Sequence, residues 1–292
     1  MSLLKDANHR GALFMVAAMA AFAVEDALFK AATLNVPPAL ALVIFGATGM
    51  VIFAVVARLR GEGAWPTGGI SRGLVVRSAF ELAGRLFFAL ALAFAGLAAT
   101  SAILQAAPLV VTVGAVFVLG ERVGWRRWTA IAVGFIGVLL VLRPSGSMIE
   151  ATALFAILAT NGFAGRDLAT RVSKPSVTNA QLGTLGFAVI ILAGLVVQAV
   201  SQPPVAMPAP RDIALLVGAG IAGVLAYSAL TAAMRTGDVS AVTPFRYTRL
   251  LFAMIIAVTL FGERPDAVML IGSALIVGSG LFTLSRSRPK SG

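Results

Sequence analysis

The tripeptide Gly-Glu-Arg occurs twice, as Gly120-Glu121-Arg122 and Gly262-Glu263-Arg264, each time between two long apolar segments. The two copies begin at residues 120 and 262, separated by nearly half of the 292-residue chain. Other markers keep step with them: Ser101-Ala102 and Ser240-Ala241 open the preceding apolar segments, and Gly137 and Gly278 recur in the following ones. A repeat of this length fixes architecture before any single residue does, and a two-fold repeat within a membrane points to a transporter-like arrangement. The repeat divides the chain into residues 1–145 and 146–292.

Composition places both halves in a bilayer. Hydrophobic residues make up 59% of the chain and charged residues 12%, with a mean hydropathy of +0.95, whereas charged residues make up roughly a quarter of a soluble chain. A spanning helix needs about 20 apolar residues. The pattern predicts ten spans, near residues 11–34, 38–58, 73–95, 99–119, 126–143, 149–168, 178–199, 211–234, 239–261 and 266–285. The first is too long for a cleaved leader and is read as a retained helix.

The net charge of +11 does not form a nucleic-acid-binding patch, because the basic residues are scattered through short connections between spans. They report orientation instead. With both termini cytoplasmic, the inner loops and tails hold most of the cations, from Lys5 to Lys290, and the outer side holds only Arg143, Arg211 and Arg264. Five spans per half is an odd number, so the second copy crosses upside down relative to the first. The expected fold is therefore all-α and integral to the membrane, ten transmembrane helices as a five-plus-five inverted repeat. In such a repeat the substrate site lies between the halves near the midplane. The two Gly-Glu-Arg copies then fall on opposite membrane faces, where Glu121 and Glu263 help close helix ends rather than touch substrate.

With these motifs in hand, the chain resembles the EamA family of the drug/metabolite transporter superfamily. The run from Ala99-Thr100-Ser101-Ala102 through Pro108 to Gly120-Glu121-Arg122, followed by Gly134 and Gly137, is similar to that family's repeat. Val239-Ser240-Ala241 through Pro244 to Gly262-Glu263-Arg264, followed by Gly272 and Gly278, is similar as well. The second copy has three more residues between its Ser-Ala and its Gly-Glu-Arg, and a proline after the arginine. The resemblance implies ten helices and export of small metabolites, with amino-acid exporters a prominent subgroup; it names no substrate. It also implies the inner (cytoplasmic) membrane of a bacterium.

Charges at helix depth are costly, about 2.5–3.5 kcal/mol each on insertion scales, so each needs a partner, water or a role. Ten lie within or near the spans: Glu25, Asp26, Lys30, Arg77, Glu81, Arg85, Arg166, Asp167, Arg246 and Arg249. Asp26 and Lys30 are four apart and suited to pair, and Arg166-Asp167 lies close enough to a helix end to snorkel. Arg77, Glu81 and Arg85 follow at intervals of four along one face of the third span, so Arg77 is expected to snorkel and Glu81 to bridge to Arg85 or line a cavity. The ninth span is the most polar, with Thr243, Pro244, Phe245, Arg246, Tyr247, Thr248 and Arg249, and Pro244 breaks its hydrogen-bond ladder. Gln105, Asn161 and Tyr227 are further candidates for a central cavity. The glycines Gly134, Gly137, Gly272 and Gly278 are expected at close helix contacts.

A zwitterionic amino acid asks for a cation opposite its carboxylate and an anion opposite its ammonium group. Asp26 and Glu81 with Arg85, Arg246 and Arg249 offer both. The expectation is therefore a secondary transporter exporting amino acids, aromatic and other neutral ones included, or similar small metabolites. Other metabolites or drugs, among them purines, phosphate-bearing compounds and organic cations, form the alternative. Protons are an optional coupling ion, carried on Glu81 or Asp26, and a passive facilitator fits equally. An enzyme is not expected: the chain has no cysteine, its one histidine, His9, sits in the tail, and its carboxylates do not cluster at a water interface. No cofactor or metal is expected, nothing resembles a channel filter, and one chain completes the pathway, so a monomer suffices.

Overall fold

The computed structural model describes residues 7–66, 71–95, 104, 106–121, 123–142, 153–172, 177–201, 207–261 and 266–285. Among the described residues every regular element is helical: α1 (Ala7–Thr33), α2 (Pro38–Leu59), α3 (Arg72–Ala95), α4 (Ala107–Leu119), α5 (Trp125–Leu142), α6 (Ala153–Val172), α7 (Asn179–Ser201) and α8 (Pro210–Arg235). The ninth span is broken into α9 (Val239–Val242), a 3-10 turn (Thr243–Tyr247) and α10 (Thr248–Phe261), and α11 (Ala267–Ser285) completes the set. The break falls at Pro244, which cannot donate to the ladder.

Local chemistry sets the ends. Pro38 and Pro210 occupy first-turn positions, where the missing N–H is unpaired in any helix. Gly120 ends α4 with φ of 66°, a left-handed conformation that a side chain resists, and the chain reverses there so that the N–H of Glu121 reaches the carbonyl of Ala115 at 3.2 Å.

Four described helices are long and apolar enough to cross a membrane: α1, α2, α7 and α8. Much of their outer surface is bare hydrocarbon, including Leu13, Val51, Val55, Leu195, Ile221 and Leu225, as a lipid-facing surface requires. Helices α3 and α6 carry the ions and pack against each other.

The main pairings are α1 with α8, α2 with α7, α3 with α6 and α5 with α11; α1 also packs on α10, α4 on α6, α2 on α8 and α3 on α7. Renaming the first five spans as the second five leaves this set unchanged. The two largest apolar clusters join the helices of both halves. Met15, Met19 and Phe22 of α1 pack with Leu230 and Met234 of α8 and Phe245 of the 3-10 turn. Phe45 and Phe53 of α2 pack with Phe187 of α7 and Tyr227 of α8, with ring centroids 5.3–6.1 Å apart.

Helices α3 and α6 approach most closely at a glycine pair. A methyl group on Gly162 would lie 2.6 Å from the Cα of Gly84 and 2.9 Å from the carbonyl oxygen of Phe80. Gly134 and Gly137 serve α5 in the same way: a methyl on Gly137 would meet the carbonyl of Gly272 at 2.7 Å. Gly278 departs from its expected role, since a methyl there meets nothing within 4 Å. Gly162→Ala is accordingly expected to destabilise the detergent-purified protein by about 1–3 kcal/mol through overpacking. Gly278→Ala is expected to be neutral or to add roughly 0.5–1 kcal/mol by raising helix propensity. Thermal unfolding of the two variants in parallel measures the difference.

Candidate functional site

Where α3 crosses α6, the glycine contact brings charged side chains of both helices within reach. Glu81 is fully buried, and its carboxylate lies 3.2 Å from Nη2 of Arg77 and 3.3 Å from Nη1 of Arg166. The hydroxyl of Tyr227 on α8 donates to the same carboxylate at 2.9 Å and accepts from Arg77. Arg77 also donates through Nε to the hydroxyl of Thr170 at 3.0 Å, and Thr170 in turn donates to the carbonyl of Arg166 at 2.8 Å. Arg166 binds Asp167 through Nε at 2.9 Å and Nη2 at 2.7 Å. Arg246, on the 3-10 turn, pairs with the other oxygen of Asp167. The chain of contacts Arg77–Glu81–Arg166–Asp167–Arg246 thus ties α3, α6, α8 and the broken ninth span together. Its three cations and two anions leave one positive charge over at a desolvated centre, where electrostatic interactions are strongest.

Helix spacing suggested other partners. Glu81 turns back to Arg77 rather than forward to Arg85, and Arg77, 1% exposed, does not snorkel. Arg166 and Asp167 are buried too, at 5% and 2% exposure, rather than reaching a helix end. Asp26 reaches across to α10, where Nε of Arg249 donates to it at 3.0 Å, instead of pairing with the exposed Lys30. Arg249 also stacks 5.0 Å over the ring of Phe22. The remaining candidates scatter. Tyr247 is buried between α5 and α11, with its hydroxyl 3.5 Å from the carbonyl of Ile131. Asn161 is exposed and donates to the carbonyl of its own helix at Ile157, 2.9 Å away. Gln105 lies outside the described residues. Arg85 is half-buried with its Nε unpaired, and its guanidinium lies 5.8 Å from the centroid of Phe163.

Two positions gained roles that spacing did not reveal. Glu25 is 6% exposed, faces α8, and carries no hydrogen bond or ion pair among the described residues. Met15, Ala18, Phe22 and Glu25 recur at intervals of three and four and share the buried face of α1, whereas Asp26 is exposed. The second position is Glu121, which leaves its own half altogether. Its carboxylate accepts the N–H groups of Val239 at 3.0 Å and Ser240 at 3.1 Å, capping α9 where Asp238 supplies no side-chain cap. Arg127 donates to the hydroxyl of Ser240 at 2.9 Å, and Asn8 accepts the N–H of Asp238 at 2.7 Å. The Gly-Glu-Arg marker of one half therefore binds the Ser-Ala marker of the other. Glu263 and Arg264 lie outside the described residues.

Known proteins resemble this chain in sequence and in fold. The chain is 31% identical over 179 residues to the S-adenosylmethionine uptake transporter of Rickettsia prowazekii, covering 61% of this chain and 60% of that protein. It is 30% identical over 198 residues to a riboflavin transporter of Rhizobium johnstonii, covering 65% and 64%. The chain thus spans roughly three fifths of the length of the first of these relatives and little more of the second. Against the pseudopaline exporter CntI of Pseudomonas aeruginosa it is 26% identical over 292 residues, covering 99% and 100%. A chain in a solved crystal structure shares the fold with a TM-score of 0.78 at 20% identity, covering 94% of this chain and 96% of that one. The EamA-like transporter family matches twice in succession, over residues 9–143 and 148–285. With both halves matched and several helices able to cross a bilayer, this multi-pass membrane protein belongs to the EamA-like transporter family.

Proposed function

We propose that the chain moves amino acids or similar small charged metabolites across the cytoplasmic membrane, outward in the prevailing gradient, by alternating access between two inverted five-helix halves. The observation that supports this best is the buried ionic chain from Arg77 to Arg246, which joins one half to the other at helix depth. Ions placed there are retained at a cost, and in carriers they sit where the substrate path runs. The double family match and the exchange-invariant helix pairing support the repeat. The relatives named for S-adenosylmethionine, riboflavin and pseudopaline support a small organic solute; S-adenosylmethionine itself bears an amino-acid end. A transport role leaves no chemical step for the protein to catalyse.

The Glu121 clamp supplies a gate for this cycle. Capping α9 holds the start of the broken ninth span against the end of α4, which closes the face on which Glu121 lies. That face is the cytoplasmic one in the orientation set by the positive loops. Opening it requires the carboxylate to release two backbone N–H groups, a change worth about 0.5–2 kcal/mol and small enough for thermal cycling.

Three expected outcomes test these readings. In proteoliposomes preloaded with a single unlabelled amino acid, uptake of the labelled form is expected to overshoot its equilibrium level; a channel gives no overshoot, and a panel of amino acids, S-adenosylmethionine and riboflavin without one removes the carrier reading. Glu81→Gln leaves Arg77 and Arg166 facing a neutral group and is expected to cost about 3–5 kcal/mol, whereas Asp26→Asn breaks a pair exposed by 34% and 53% and is expected to cost less; thermal unfolding separates them. Because the chain has no cysteine, Ala241→Cys supplies a single label site, 1% exposed at the start of the ninth span. Adding Glu121→Ala is expected to raise its labelling by a membrane-impermeant maleimide several-fold from the inner side, and equal rates in both backgrounds remove the gate.

A further inference from the structure

Two charged side chains stand apart from the ionic chain, and each is unanswered. Glu25 is 6% exposed, without a hydrogen bond or ion pair among the described residues. The charged groups around it are Arg85 of α3, Arg249 of α10, Arg166 of α6 and its own neighbour Asp26. Arg249 is already held by Asp26, and Arg166 by Asp167 and Glu81. Arg85 has no ion pair among the described residues, and its buried Nε is unpartnered; Tyr227, one turn along α8 from the Gly223 that borders Glu25, bonds Glu81, one turn along α3 from Arg85. The two residues stand on helices with different neighbours: α1 packs on α8 and α10, α3 on α6 and α7.

The surroundings suit an occupant between them. Gly223 on α8 lies beside Glu25, where a methyl group would sit 3.2 Å from Oε2 and 2.9 Å from Phe45. Glycine there leaves room for the carboxylate, which a methyl group would crowd. Aromatic rings stand at both ends, Phe45 near Glu25 and Phe163 beneath the guanidinium of Arg85. An uncompensated ion in a low-dielectric interior is unfavourable, so a ligand that answers both charges relieves both at once. A ligand with only one charged end leaves the other ion unpaired, which is the condition for strong rejection.

Resting on the transporter reading above, we propose that Glu25 and Arg85 form the substrate subsite for a zwitterion, the carboxylate of Glu25 receiving an ammonium group and the fork of Arg85 a carboxylate. Asp26, which the spacing favoured, serves to hold Arg249 instead. The occupant is a small compound with an apolar body and both charges.

Three probes sharing one apolar body test the assignment: L-leucine, its decarboxylated amine isoamylamine, and its deaminated acid 4-methylpentanoate. Ligand-induced shifts in melting temperature of the full chain in detergent report binding, since a ligand that binds only the folded state raises it. The wild type is expected to respond to leucine more than to either analogue. Glu25→Gln and Arg85→Gln are each expected to weaken leucine binding ~10-fold or more. Gly223→Ala keeps both charges but crowds the carboxylate, so it is expected to weaken leucine as well and decides the matter if Glu25→Gln does not fold. Gly278→Ala, with open space around it, is expected to bind leucine as the wild type does. Equal responses to leucine and an analogue, undiminished binding by Glu25→Gln or Gly223→Ala, or a wild type that none of the three probes moves would each overturn the zwitterion subsite. Overshoot uptake of another solute by the same preparation would then leave the carrier reading standing, and its absence for every solute would remove that reading instead.

Discussion

A bilayer offers neither water nor counter-ions to a charge at helix depth, so a fully buried ion such as Glu81 has to be answered by other side chains. Glu81 meets that demand through Arg77, Arg166 and Tyr227, which come from three different helices. The rest of the packing is arranged so that they can. Glycines at positions 84 and 162 allow α3 and α6 to touch backbone to backbone, and the aromatic cluster of Phe53, Phe187 and Tyr227 fixes the side from which the tyrosine arrives. Helices α1, α2, α7 and α8 turn much of their surface outward.

The ionic chain and the Glu121 cap differ in kind. The first is buried, multiply bonded and shared among several helices, so losing one member leaves an unpaired charge. The second is a carboxylate on two backbone N–H groups at a helix start, partly buried and easily released. One is costly to break and the other is not. Glu25 and Arg85 belong to neither, because neither is bonded to another side chain, and groups left unanswered in a membrane interior are where a ligand gains most.

The spans were legible because the lengths of apolar runs answer directly to the thickness of hydrocarbon. Apart from the fourth span, expected from residue 99 and described as a helix only from Ala107, the helix ends lie within about four residues of expectation, and Pro244 marked the break in the ninth span. Partner choice was not legible. Intervals of four say that Asp26 and Lys30, or Glu81 and Arg85, can meet, but a side chain from another helix competes for the same ion, and spacing along one helix is silent about it. Arg249 and Arg166 took those places. Rotation was hidden for a related reason. In a helix that is apolar all round, hydrophobic periodicity does not single out the inward face, so the step from Asp26 to Glu25, about 100° around the axis, separated an exposed ion pair from a buried unpaired acid. The Glu121 contact was half visible: its place at a helix end was expected, while its reach into the other half was not.

The distances in sequence between bonded partners bear on how such a chain is made. Glu81 and Arg166 are 85 residues apart, Arg77 and Thr170 93, and Arg77 and Tyr227 150. During synthesis α3 therefore leaves the ribosome well before α6 and α8 exist to answer its charges. The third span is marginal on its own until then, and the insertion machinery or the aqueous edge of the bilayer has to shelter it. Arg77 and Glu81 of the first half can take up these partners only once α6 and α8 have been made.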